Sequence, residues 1–263
     1  MKLDFVKLSP TQNMTIIVKT PVTRADHSRV AALLMDYAGV FAEQVGFIEP
    51  PTLPGAHMRL QMMGGEFCGN AAMCLAAIDA RNCGIPRGET RAVPVEISGA
   101  EGMLTAEVTR REDAYACRVA MPLPMSIAEK DAYSIVRLPG IAHAVIKCDD
   151  PEARRPYAES ALRAIAADID EEAVGLMLYS PVQNRMLPLV YVKNTDSMVW
   201  ERGCGSGSAA VGALMCHESK MDVAVPLEQP GGMITARARW NGSVAELSIE
   251  GTVKIVCEGT AYV

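Results

Sequence analysis

Two short segments of this chain place a cysteine at the expected start of an alanine-rich helix. They are Cys68-Gly69-Asn70 and Cys204-Gly205-Ser206, and in each the cysteine precedes a glycine and a small polar residue. Unpaired N–H groups and the helix dipole favour negative charge at a helix N-terminus, so we expect the pKa of both thiols to be lowered. Two such thiols indicate an acid/base pair, which inversion of a stereocentre requires.

A thiol pair can move a proton from one face of a carbon atom to the other. One thiolate would remove the α-proton of an amino acid, and the opposite thiol would return a proton to the other face. The charge that develops must be stabilised, and the backbone N–H groups of Gly69–Ala71 and Gly205–Ser208 could bind the substrate carboxylate. This chemistry needs neither a metal ion nor pyridoxal phosphate.

The chain also repeats a pattern after each cysteine motif. Six residues recur at one constant offset: Val93, Val95, Gly102, Met103, Thr105 and Ala106 match Val223, Val225, Gly232, Met233, Thr235 and Ala236. A repeat of this length indicates two homologous domains rather than a solenoid. We predict a first domain at residues 1–122 and a second at 123–252. The faces that carry the two cysteine motifs are expected to meet across a cleft. Residues 253–263 are a possible crossover strand back to the first domain.

The composition excludes several classes of partner. Hydrophobic residues make up 49% of the 263 residues, and the net charge is −6, which argues against a nucleic acid or an anionic membrane. Apolar stretches are too short to span a bilayer, and Met1–Ser9 lacks the apolar region of a signal peptide. The eight cysteines show no Cys-x-x-Cys spacing, which favours free thiols. We expect a cytoplasmic protein.

Hydrophobic periodicity predicts helices alternating with strands, an α+β architecture in which a mixed sheet wraps one central helix per domain. The predicted helices are Asp26–Tyr37, Asn70–Ala80, Glu152–Ala167 and Ser208–Cys216. The predicted strands are Phe5–Leu8, Thr15–Lys19, Glu43–Ile48, His57–Met62, Val93–Ile97, Met103–Val108, Ala116–Met121, Ala142–Lys147, Gly175–Tyr179, Leu187–Val192, Ser197–Trp200, Val223–Leu227, Met233–Ala238 and Ala245–Ile249.

At these motifs the chain resembles the diaminopimelate epimerase superfamily of cofactor-independent racemases, over essentially its full length. The segment Lys7–Asn13 is similar to the N-terminal block of that family, and the two cysteine motifs are similar to its catalytic motifs. The resemblance implies that Cys68 and Cys204 are the acid/base pair and that Asn13 and Glu201 orient the α-amino end of the substrate. It also implies a homodimer.

The chain differs from the diaminopimelate epimerases at positions that would contact the substrate. Epimerases carry asparagines that hold the far end of diaminopimelate, whereas this chain has Gln61-Met62-Met63 and Ile141-Ala142-His143 at those places. A distal ammonium and carboxylate would lose their partners, which disfavours diaminopimelate. The chain is closer to the histidine racemases that supply D-histidine for nicotianamine-like metallophores, in segments that include Glu43–Glu49 and Gln229–Gly232. Arg202-Gly203 resembles the epimerases instead, so diaminopimelate or another amino acid stays an alternative substrate.

Each candidate residue also has a purely structural interpretation. Cys68 and Cys204 could be core cysteines, while Glu43 and Glu201 could form a cap or a salt bridge instead of contacting substrate. His143 lies in an apolar run and is either a core histidine or a pocket wall. Asn184 resembles another substrate-binding asparagine but is equally typical of a turn.

Two other classes of function stay open. A non-catalytic or metal-binding protein on the same scaffold would use Cys68, Cys204 and a histidine as ligands, but would not need two glycine-rich helix starts. An isomerase of the phenazine-biosynthesis type shares the duplicated scaffold but lacks the cysteine pair, so the sequence argues against it.

Overall fold

The computed structural model describes the whole chain, from Met1 to Val263. The helices are a short 3₁₀ turn (Arg24–Asp26), α1 (His27–Met35), α2 (Gly69–Asn82), α3 (Pro151–Ala167) and α4 (Gly205–Ser219). The strands are β1 (Lys2–Pro10), β2 (Thr15–Val18), β3 (Gln44–Glu49), β4 (Met58–Met62), β5 (Thr90–Ile97), β6 (Met103–Arg110), β7 (Tyr115–Ala120), β8 (Ser126–Glu129), β9 (Ser134–Leu138), β10 (Ile141–Lys147), β11 (Ala173–Ser180), β12 (Arg185–Val192), β13 (Ser197–Trp200), β14 (Val223–Gln229), β15 (Gly232–Trp240) and β16 (Val244–Tyr262). None of these helices has the length and apolar character that a membrane span requires.

The chain divides into two compact units. Unit 1 comprises Met1–Ala120 together with Gly251–Val263, and unit 2 comprises Met121–Glu250. Each unit contains a mixed sheet and one helix that is buried along nearly its whole length. The predicted α+β class, with a sheet wrapped around a central helix, is confirmed.

In unit 1 the strands follow chain order from β1 to β7. The end of β16 pairs antiparallel with β1, on the side of β1 opposite to β2. Helix α2 contacts six of these strands. Every residue from Gly69 to Ala80 is buried, because alanine and other small side chains let the strands approach this helix from all sides. The buried Asp79 is paired with the Nδ1 atom of His57 at 3.1 Å. The sheet therefore holds the first turn of α2, where Cys68 lies, inside unit 1.

In unit 2 the strand order is β16, β15, β14, β12, β11, β10, β9 and β8, with β13 paired to β12. Helix α3 packs on β11 and β12, whereas α4 contacts β9, β10, β11, β14 and β15. Alternate residues of a strand face opposite sides of the sheet. Ala142, Ala144, Val174 and Leu176 belong to the apolar cluster that includes the α3 residues, so the intervening His143 faces away from α3.

The structure adds two strands that periodicity did not predict. Strand β8 is a four-residue, mostly exposed segment that pairs with β9, and β9 continues antiparallel to β10. Their short lengths and mixed polarity leave too few residues for a clear alternation. The strand predicted at Ala245–Ile249 is the first part of the 19-residue β16, which continues without a break to Tyr262.

Candidate functional site

Cys68 is the N-cap residue of helix α2. Its backbone is extended, with φ −133° and ψ 111°, and its sulfur accepts a hydrogen bond from the Ala71 amide at 3.4 Å. The same sulfur donates to the Gln44 side-chain oxygen at 2.8 Å. A sulfur in this position can accept hydrogen bonds from the helix N–H groups and donate its own hydrogen to a neighbouring acceptor.

A row of amide and carboxylate side chains continues from Cys68 through unit 1. The Gln44 amide nitrogen donates to the side-chain oxygen of Asn13, and the Asn13 amide nitrogen donates to Glu43 at 2.8 Å. Parallel pairing of β2 with β3 places these residues side by side, and the Glu43 amide bonds to the Met14 carbonyl at 2.8 Å. The structure thus joins Asn13 and Glu43, both predicted from the sequence, to the Cys68 thiol through Gln44, which the sequence analysis did not select.

The turn before Asn13 has an unusual backbone. Thr11 and Gln12 have φ values of 49° and 60°, and left-handed backbone is unfavourable for a β-branched residue such as threonine. The turn is fixed by hydrogen bonds from the Thr11 amide to the Thr252 carbonyl and from the Asn13 amide to the Pro10 carbonyl, both 2.9 Å long. This strained turn positions Asn13, whose side chain is 2% exposed.

Cys204 occupies the equivalent position in unit 2, as the N-cap residue of α4. Its φ and ψ are −101° and 108°, and its sulfur accepts from the Gly207 amide at 3.2 Å, as the Cys68 sulfur does from Ala71. The Ser206 hydroxyl lies 3.6 Å from the sulfur. Both motifs therefore place the thiol over the N–H group three residues further along the helix.

The electrostatic environment of Cys204 differs from the sequence-based expectation. Burial raises the pKa of the Cys204 thiol well above its usual value, and the charge of Glu201 with its hydrogen bond to the thiol raises the pKa further. Ser206 and the Gly207 amide act in the opposite direction but do not outweigh these effects. The helix N–H group does lower the pKa, but desolvation and the neighbouring carboxylate are stronger, so the predicted net lowering of the Cys204 pKa is wrong.

Two glycines of unit 2 leave room for neighbouring side chains, Gly207 for Met177 and Cys204 and Gly175 for His143 and Met177. A Cβ atom at Gly207 would lie 2.2 Å from the Met177 sulfur and 3.0 Å from the Cys204 sulfur. A Cβ atom at Gly175 would lie 2.2 Å from Nδ1 of His143 and 3.0 Å from the Met177 methyl carbon. The thioether of Met177 therefore lies between the Cys204 thiol and the His143 ring.

His143 is fully buried, and neither ring nitrogen has a hydrogen-bond partner. Burial lowers the pKa of His143 to about 3, so the ring is neutral at physiological pH. It pairs in register with Gly175 across β10 and β11.

The remaining predicted residues have different surroundings. Gly69, Asn70 and Gly205 are buried in the first turns of their helices, whereas Ser206 is partly exposed. Asn184 lies in an exposed turn between β11 and β12 with φ 50°, and its carbonyl accepts from the Glu228 amide at 2.7 Å. This placement fits the turn interpretation of Asn184.

No group of three or more His, Cys, Asp or Glu side chains is arranged to hold a metal ion. All eight cysteines are free thiols. Side-chain amides and carboxylates lie near the thiols at the two helix starts.

Known proteins resemble this chain over its whole length. A histidine racemase of Fusobacterium nucleatum is 29% identical, with 99% of this chain and 97% of the relative covered. A diaminopimelate epimerase of Burkholderia pseudomallei is 27% identical, with 98% of each chain covered. Among solved structures, a phenazine biosynthesis protein of the PhzF family from Bacillus anthracis covers all of both chains at 13% identity, with a TM-score of 0.73, which shows a shared fold.

The family model described as the histidine racemase CntK N-terminal domain matches residues 2–262, which include both cysteine motifs and both units. The chain belongs to this family of histidine racemase domains.

Proposed function

We propose that this chain is a histidine racemase that interconverts L- and D-histidine, with Cys68 and Cys204 as the acid/base pair and no cofactor. The observation that carries the proposal is the repeated helix start, in which each cysteine sulfur accepts the N–H group of the residue three positions later. Family membership and the full-length similarity to named histidine racemases support the isomerase class and the substrate.

The proposed reaction uses one thiolate and one thiol. The thiolate takes the proton from Cα of histidine, and the electron pair of the broken C–H bond delocalises into the substrate carboxylate. Backbone N–H groups at the helix starts stabilise that charge, because they lie near a positive dipole end. The second thiol then gives its proton to the opposite face of Cα, so the two cysteines exchange roles at each turnover.

The surroundings of the two thiols differ. The raised pKa of Cys204 keeps this thiol protonated, which suits the acid. Cys68 bonds to Gln44, and Gln44 connects through Asn13 to the Glu43 carboxylate. We propose that Asn13, Glu43 and Glu201 bind the α-amino group of the substrate.

Histidine is favoured over diaminopimelate by the residues where epimerases carry asparagines. Met62 is fully buried and Gln61 is 8% exposed, and neither supplies a charged partner for a distal ammonium or carboxylate. Diaminopimelate and other amino acids remain the alternatives that a substrate screen addresses. We further propose that the protein forms a homodimer and takes part in metallophore biosynthesis. We also propose a cytoplasmic location, with which its eight free thiols are consistent.

The test is α-proton exchange in D₂O. Reduced protein treated with a chelator is incubated separately with L-histidine, diaminopimelate and the other common amino acids, and deuterium incorporation and the D-isomer are measured by mass spectrometry and chiral chromatography. We expect labelled D- and L-histidine. Deuterium incorporation into diaminopimelate alone would overturn the assignment of histidine as the substrate. Absence of incorporation into every amino acid would favour a non-catalytic protein.

Variants of the cysteines test the mechanism. Cys68→Ser and Cys204→Ser are each expected to abolish racemisation, while Cys257→Ser, at an exposed cysteine, serves as the matched control. Full racemisation by either catalytic variant would contradict the two-cysteine mechanism.

A further inference from the structure

A closed ring of hydrogen bonds surrounds the backbone of Cys204. Its amide donates to the Gln229 side-chain oxygen at 2.8 Å, and the Gln229 side-chain nitrogen donates to the Ser208 hydroxyl at 2.8 Å. That hydroxyl donates to the Cys204 carbonyl at 2.6 Å. Both polar groups of the Cys204 main chain are therefore held by the same pair of side chains.

All members of the ring are buried. Gln229 is 4% exposed and Ser208 is fully buried, so water does not compete effectively for these donors and acceptors. Gln229 is the last residue of β14 and pairs with Gly232 across the hairpin to β15, which fixes the origin of its side chain. The ring thus ties the first turn of α4 to the far end of the next strand, β14.

The conformation of the Cys204 main chain decides where its thiol points. The φ and ψ angles of Cys204 set the direction of its Cα–Cβ bond, and its sulfur must stay over the Gly207 amide at 3.2 Å. Small displacements of a reacting group are costly in catalysis, because the proton must travel along a short, aligned path.

We propose that Gln229 is a positioning residue that holds Cys204 in its reactive geometry. This inference rests on the proposed catalytic role of Cys204. Gln229 acts through the main chain of the cysteine, by accepting its N–H group and by orienting the Ser208 hydroxyl towards its carbonyl.

The first test replaces Gln229 by three residues of graded similarity. Gln229→Leu keeps the size but removes all hydrogen bonding, and we expect kcat for histidine racemisation to fall about 10- to 100-fold with a smaller change in KM. Gln229→Glu keeps the length and the acceptor for the Cys204 amide, and should recover part of that loss. Gln229→Asn keeps the amide but is one methylene shorter, so it should not.

Two controls separate positioning from general destabilisation. Gln183→Leu removes an exposed amide of the same unit, which donates to the Asp149 carbonyl at 3.2 Å, and should leave kcat unchanged. Ser208→Ala opens the ring at its other side with a smaller change in volume and should also lower kcat. Circular dichroism and thermal unfolding report whether each variant is folded at the assay temperature.

A measurement that does not depend on activity completes the test. In the Gln229→Leu protein, the NMR signal of the Cys204 amide should move upfield and its hydrogen should exchange faster with D₂O. If this amide changes while kcat stays at the wild-type value, and Cys204→Ser is inactive, positioning by Gln229 is overturned. If Cys204→Ser itself racemises histidine, the proposed function fails instead.

Discussion

Gly207 lies against the sulfur of Met177, so closely that a Cβ atom on the glycine would be 2.2 Å from it. The same Cβ atom would lie 3.0 Å from the Cys204 sulfur. The absence of a side chain at this one position lets the helix start, the thioether and the thiol occupy neighbouring places in unit 2.

We therefore expect Gly207→Ala to displace either Met177 or the thiol. Racemase activity should fall by about 100-fold, and the free energy of unfolding should decrease by about 1–3 kcal/mol. Steady-state kinetics and urea unfolding measure the two effects. Gly259→Ala is the matched control, because nothing lies within 4 Å of a Cβ atom there. Wild-type kinetics in Gly207→Ala would show that the site tolerates the added methyl group.

Glu201→Gln should change the pH dependence of the reaction. The charge of Glu201 raises the pKa of Cys204, so its removal lowers that pKa. Cys204 would then lose its proton at a lower pH, and the alkaline limb of the kcat/KM profile should move to lower pH. Glu246→Gln, at a surface ion pair with Arg239 in the same unit, is the control for loss of one negative charge. An alkaline limb that does not move would separate Glu201 from the proton chemistry of Cys204.

Protonation of His143 should destabilise the fold in acid. Its pKa is about 3 in the folded protein and about 6.5 in an unfolded chain, so the unfolded state binds the proton first as the pH falls. The stability that His143 contributes is fully present above about pH 6.5 and declines towards pH 3, by at most about 1.4 kcal/mol per pH unit. Urea unfolding of wild type and His143→Leu at several pH values measures this slope. We expect a shallower decline in the variant, and equal slopes would contradict the assignment.

Lys220 offers a stabilising substitution remote from the chemistry. It ends α4 in left-handed backbone with φ 54°, and its amide donates to the Cys216 carbonyl at 2.9 Å. Glycine adopts this conformation without strain, so Lys220→Gly should raise the free energy of unfolding by about 1 kcal/mol. Lys220→Ala is the control, because alanine keeps the strain while removing the same charged chain. Racemase activity should stay at the wild-type value in both.

The helix starts and the fold class could be predicted because their signals are local. A cysteine, a glycine and a small residue before an alanine-rich run identify each N-cap from consecutive residues, and the structure has Cys68 and Cys204 at those positions. Asn13 and Glu43 were selected from a resemblance to known racemases, and the structure joins them by a hydrogen bond.

The contacts that organise each thiol could not be predicted in this way. Gln44 and Gln229 lie in segments that resemble histidine racemases, but the resemblance gave neither side chain a role, and they lie on other elements than the cysteines they contact. The raised pKa of Cys204 depends on a balance between burial and hydrogen bonding, which requires the folded surroundings. Strands β8 and β9 escaped detection because short segments of mixed polarity carry little periodicity.

The continuous strand β16 has a consequence for biosynthesis. Strand β1 pairs along Lys2–Pro10 with Val253–Tyr262, so its partner is translated only after the whole of unit 2. The residues of unit 2 come between β1 and Val253 in the sequence, so unit 2 can complete its own strands earlier on the ribosome. During that interval the β1 edge is open to wrong partners. We expect the nascent chain to need protection at β1 until the end of β16 emerges from the ribosome.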